Sequence, residues 1–164
     1  MESQRAASEF RYEKQRADAL VTLVGGEHVR GCFFVSAGSA THTGAERISD
    51  LLNSENGFFP FEAHIGTRQM TVLYNRAHVI AVAVFDDEAR RDPGYSVAPR
   101  REVSILLSNG DRVNGVVRVY RPEGRDRVSD WTRQPEIFRY VETTETTLIV
   151  NAAHIVAVTE VSGS

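Results

Sequence analysis

The sequence predicts a mainly β protein: two tandem, small, strongly bent five-stranded barrels with short helices, preceded by an N-terminal helix. Three observations predict it. The segment "NRAHVIAV" (Asn75–Val82) recurs almost unchanged as "NAAHIVAV" (Asn151–Val158). Two earlier stretches recur in the same order, "LVTLVGGEHVRGCFFV" (Leu20–Val35) as "SILLSNGDRVNGVVRV" (Ser104–Val119), and "RISDLLNSENGFFPFE" (Arg47–Glu62) as "RVSDWTRQPEIFRYVE" (Arg127–Glu142). Each copy is dominated by β-branched and aromatic runs punctuated by glycine, the composition of short strands. The offset between copies falls from 84 to 80 to 76 residues, which places two short insertions of copy one in the polar stretches "SAGSATHTGAE" and "HIGTRQ". Loops lengthen at little cost there.

The elements follow in chain order. "SEFRYEKQRADAL" has helix formers and neither Gly nor Pro, so a helix is expected over Ser3–Ala19. Gly25-Gly26 and Asn109-Gly110 each separate two apolar runs and mark hairpins. Gly31 and Gly115 fall inside the second strand of each copy, where glycine signals a bulge or a sharp bend. Ala45, Ile48, Leu51 and Leu52 recur at helical spacing before Asn56-Gly57, and Val128 and Trp131 keep that spacing before Pro135. Three strands then close each copy, at 58–63, 68–75 and 78–84 and at 137–142, 146–151 and 154–161. The resulting division is a tail or helix at 1–18, a first repeat at 19–85, a charged linker with Pro93, Gly94 and Pro99 at 86–101, and a second repeat at 102–161.

Composition narrows the function classes. With 41% hydrophobic residues a packed core is expected, and a net charge of −3 makes no field that would select nucleic acid or an anionic membrane. The one cysteine, Cys32, excludes an intrachain disulfide and most zinc modules; it reads as a core residue in a β-rich stretch. Neither a signal-peptide pattern nor an apolar run of membrane-spanning length occurs, so a cytoplasmic protein without membrane insertion is expected. Phosphate-loop, nucleophile-elbow, zinc-protease and dinucleotide signatures are all lacking. No catalytic residue, cofactor or metal site is assigned.

The pattern of "VTLVGGEHVRG" and "ILLSNGDRVNG" resembles the first motif of Sm-like proteins, and "TVLYNRAHVIAV" and "TLIVNAAHIVAV" resemble their second, especially in bacterial Sm-like RNA chaperones. Other small SH3-like barrels share the hairpin pattern. The resemblance implies a bent five-stranded barrel and assembly through edge strands. The sequence departs from that family where RNA would be held: a loop and the Arg-x-Ser-Asp segment follow the second strand, and Asn75, His78, Asn151 and His154 stand in the second motif.

Candidate side chains have competing readings. Arg47 and Asp50, and Arg127 and Asp130, are three apart and either pair along a helix face or, with Ser49 and Ser129, cap the helix. Asn75, His78, Asn151 and His154 fit a structural turn; contact with RNA and metal ligation are the sharper alternatives. The asymmetric feature is the arginine-rich "RVYRPEGRDR" of copy two, in which Arg118, Arg121, Arg125 and Arg127 surround Tyr120. It suits phosphates and stacked bases, an acidic protein partner, or internal pairing with its own carboxylates. The expectation is a non-catalytic adaptor or scaffold acting through a protein partner or self-association. The alternative is an Sm-like protein binding single-stranded RNA through that loop.

Overall fold

The computed structural model describes residues 14–38, 44–120, 124 and 127–161. Copy one supplies β1 (Lys14–Leu23), β2 (His28–Ser36), α1 (Ile48–Asn53), β3 (Phe58–Ile65), β4 (Arg68–Asn75) and β5 (Val79–Val84). Copy two supplies β6 (Arg100–Leu107), β7 (Arg112–Arg118), α2 (Val128–Thr132), β8 (Phe138–Glu142), β9 (Thr147–Asn151) and β10 (Ile155–Glu160). A 3-10 turn, Arg76–His78 or Ala152–His154, leads into the last strand of each copy.

All ten strands join in one antiparallel sheet in the order β10-β6-β7-β8-β9-β5-β1-β2-β3-β4. Each copy therefore has the same internal order, with its last strand beside its first. The two closed barrels expected from the sequence are not what the strand pairing forms; the sheet is open. Closure of copy one by pairing would require β5 to meet β4, but the outer edge of β5 is taken by β9 of copy two. The expected N-terminal helix is also corrected over Lys14–Ala19. These residues are extended and pair with β2 from Lys14↔Ser36 onward, with Ala19 and Val21 facing the core. A ladder with an apolar inner face outweighs the weak helix preference of Lys, Gln and Arg. The remainder of that predicted helix lies outside the described residues.

Glycine carries the bend. A Cβ on Gly31 would stand 2.0 Å from the carbonyl oxygen of Glu62, and one on Gly115 would stand 2.6 Å from that of Glu142. Only a residue without a side chain lets the third strand cross so close. The hairpin glycines Gly26 (φ 88°) and Gly110 (φ 90°) occupy left-handed conformations, as the paired-glycine and Asn-Gly signals require.

Two apolar clusters form, and each borrows from the other copy. The first contains Phe33, Phe59, Phe61, Ile48 and Leu52 of copy one together with Phe138 and Ile149 of copy two. The second contains Ile105, Val117, Trp131 and Val141 of copy two together with Ile80 and Ala81 of copy one. The segment between copies, expected as a linker, packs against the fold: Glu88 is 1% and Ala89 4% exposed.

Candidate functional site

The site with the most elaborate geometry is the junction between repeats. β5 pairs with β9 over Ala81↔Val150, Val82↔Ile149, Ala83↔Leu148 and Val84↔Thr147. Asn151 lies at its end, 2% exposed. Its Nδ2 donates to the carbonyls of Val79 (2.9 Å) and Arg76 (3.3 Å), and its Oδ1 accepts from the Ala153 N–H (3.0 Å). His154 Nε2 donates to the Ala77 carbonyl at 2.7 Å while Nδ1 faces the Ser108 hydroxyl at 2.8 Å. A carbonyl only accepts, so the Nε2–H tautomer is selected. The backbone of each histidine also ties its turn to the first hairpin of its copy, Val24 N–H to His78 O (3.0 Å) and Ser108 N–H to His154 O (2.8 Å).

A second set of contacts closes the junction from the other side. Asn53 of α1 exchanges two hydrogen bonds with the backbone of Phe138, at 2.9 Å each. Glu88 accepts from the Ile48 N–H (2.7 Å), the Ser49 N–H (3.3 Å) and the Tyr140 hydroxyl (3.0 Å), and Ser49 Oγ is 2.5 Å from that hydroxyl. Burial pushes the Glu88 carboxyl up to about 7, with Asp86 adding to the shift and the bond from Ile48 opposing it. Burial, reinforced by Glu88, raises the Tyr140 phenol as well.

A cleft of 830 Å3 opens beside this seal, bordered by Asp92, Tyr95, Arg118, Tyr120, Trp131 and Glu142 among others. Arg118 does not point freely into it. Its Nε donates to Glu142 at 2.9 Å and Nη1 to the Tyr95 carbonyl at 2.9 Å, and its guanidinium carbon lies 3.7 Å from the Tyr95 ring centre. The Tyr95 hydroxyl donates to Glu142 in turn. Tyr120 is 39% exposed, and its phenol is raised by burial and by Asp92, to which it is hydrogen-bonded. Arg127 is exposed, and its backbone N–H bonds Asp130 at 3.0 Å. Arg121 and Arg125 lie outside the described residues.

Comparison with protein-family models, with curated proteins and with solved structures finds no match for this chain. Its chemistry therefore has to be read from these contacts. Arg47 pairs with Asp50, which also caps α1: the backbone N–H and guanidinium of Arg47 donate to Asp50 at 2.9 to 3.1 Å, and the same guanidinium reaches Asp92. Ser49, expected as the cap, lies inside the helix against Tyr140. Asn75 caps its turn through Ala77 N–H (3.0 Å), as Asn151 does, but is only half-buried. His78 is exposed.

Two functional-looking arginines were not singled out in the sequence. Arg76 donates to the carbonyls of Leu51, Leu52 and Phe58, and Arg139 to those of Trp131, Thr132, Gln134 and Glu136. Both satisfy backbone acceptors around the end of a short helix. They come from non-equivalent positions of the two copies, so alignment of the repeats does not reveal them.

Proposed function

We propose that this chain is a non-catalytic assembly scaffold made of two Sm-like halves, whose internal β5–β9 junction is repeated between chains by the edges left over, β4 and β10. One observation carries the reading. Phe138, Ile149 and Ile80 are 4%, 0% and 0% exposed at the junction, whereas their repeat counterparts Phe58, Leu73 and Val156 are 61%, 63% and 63% exposed. The same positions are apolar in both copies but covered in only one. Each such side chain gains about 1.5 to 3 kcal/mol on full burial. Among the described residues no strand pairs with the outer edge of β4 or of β10, which leaves each edge as a template for strand addition.

A β4–β10 contact joins two different surfaces, so it propagates head to tail and ends in a ring if the rotation closes, or in a filament if it does not. Light scattering on the purified chain tests this. The expected mass is a multiple of the protomer mass at tens of micromolar, and Leu73→Lys, which puts a charge on the exposed apolar position of β4, returns it to the protomer. A wild-type chain that stays a monomer throughout that range would overturn the reading.

A further inference from the structure

The geometry points to a transition-metal site on the outer face of copy one, in which Cys32, Glu62 and His64 bind a zinc-class divalent cation. Cys32 is 1% exposed, yet it belongs to neither apolar cluster. It lies on the opposite face of β2 from Phe33, directly across from Glu62 of β3. His64, two residues along β3, shares that face. One ligand atom from each residue, the thiol sulfur, a carboxylate oxygen and a ring nitrogen, lies within 4.8 Å of the other two. A tetrahedral zinc spaces such ligands about 3.3 to 3.8 Å apart. His64 Nε2 already stands 3.9 Å from Glu62 Oε1, and the exposed imidazole is free of the core packing that would fix its rotamer.

The surroundings suit a cation of this kind. Glu62 Oε1 faces His64 Nε2 at 3.9 Å while Oε2 pairs with Arg16 at 3.3 Å, so one oxygen is directed at the ion and the other keeps an outer partner. The fourth position is left to water; Asp18, the cross-strand neighbour of Cys32 on β1, is exposed and outside this group of ligand atoms. Sulfur, imidazole and carboxylate together favour zinc over magnesium or calcium. Thiolate and carboxylate balance its two charges, and the thiol proton is released on binding.

Copy two shows what the same place looks like without a site. Val116 and Glu142 are cross-strand partners there, as Cys32 and Glu62 are in copy one. Glu142 is instead held by Arg118 at 2.9 Å. The residue matching Arg118 is Phe34, and the one matching His64 is Thr144. Copy one thus has no counterpart of Arg118 beside this glutamate, whose only arginine partner among the described residues is the exposed Arg16 of β1, and it supplies two further ligands.

Titration of the full metal-free chain with zinc chloride against a colorimetric chelator tests the proposal. The expected result is one ion per chain with a dissociation constant of micromolar or below, weakened at least tenfold by Cys32→Ser and by His64→Ala and unchanged by His78→Ala. Cobalt loading adds a second readout, a thiolate-to-cobalt charge-transfer band that Cys32→Ser abolishes. Since Cys32 is buried, His64→Ala decides the matter if Cys32→Ser fails to fold. Zinc binding that is absent, or indifferent to His64→Ala, would overturn the site.

Discussion

The two repeats have the same strand order and nearly the same closing segment, but they meet different neighbours. In copy two, β9 is covered by β5, and Asn151 and Ile149 are buried; in copy one, no described strand covers the outer edge of β4, Asn75 is half-buried and Leu73 is exposed. The glutamate at the end of the bend differs in the same way. Glu142 is locked to Arg118 and Tyr95, whereas Glu62 faces Cys32 and His64. The two copies share the residues that make the strands, turns and bends and differ in the side chains around them. What a position does therefore follows from what covers it more than from its place in the repeat.

The largest expected effect tests the part held in common. Gly31→Ala drives a Cβ to 2.0 Å from a backbone carbonyl and Gly115→Ala drives one to 2.6 Å, and neither strand can yield without losing its partner. A loss of more than about 3 kcal/mol is expected for Gly31→Ala and about 2 kcal/mol for Gly115→Ala, read from urea unfolding. Equal losses would mean that the two bends are equally tight, against the difference in approach.

Much of this was legible beforehand and some was not, for physical reasons. The hairpins, the bend glycines and the closing strands were readable because β-branched runs, Asn-Gly and mid-strand glycine each have a local cause. The strands expected at 68–75 and 137–142 correspond to β4 and β8 within a residue. Lys14–Ala19 misled because a strand whose outer face is solvated reads as a helix when its residues have helix preferences and its inner face is marked only by Ala17 and Ala19, themselves helix formers. Closure was misjudged because it depends on which strand captures the edge of β5, a contact between copies that no local pattern encodes. Cys32, Glu62 and His64 were not grouped for the same reason: strand pairing across a loop brings them together, without the fixed spacing of a metal motif.

Glu88 seals only one side of the junction, and its carboxyl is the group that makes the seal pH-sensitive. Its folded value of about 7 exceeds the ordinary 4.5, so the folded chain holds a proton that the unfolded chain has released between those pH values. Its contribution to stability is complete below about 4.5 and is lost as pH rises through 7. The groups facing it are Asp86 on its own segment and Tyr140 on β8, with Arg47 beside Tyr140. Wild-type stability should fall by up to about 3 kcal/mol from pH 5 to pH 8 on account of this group, and Glu88→Gln should flatten that slope. A slope that survives the substitution would place the titration elsewhere.

The smallest effect separates the two asparagines. Asn151→Ala strands the carbonyls of Val79 and Arg76 inside the junction and removes a turn cap, so a loss of about 2 kcal/mol is expected in chemical denaturation. Asn75→Ala removes the same cap at a half-buried edge, and in the dilute protomer it should cost less than about 1 kcal/mol. The two substitutions diverge again when chains associate. If β4 joins β10 of a neighbour as β9 joins β5, Asn75 takes the place of Asn151 in the new contact, and its loss should weaken association about tenfold while leaving protomer stability nearly unchanged. Sedimentation over a concentration series reads that difference. An Asn75→Ala chain that assembles like wild type would mean that the free edge does not copy the internal junction, however similar the two segments are.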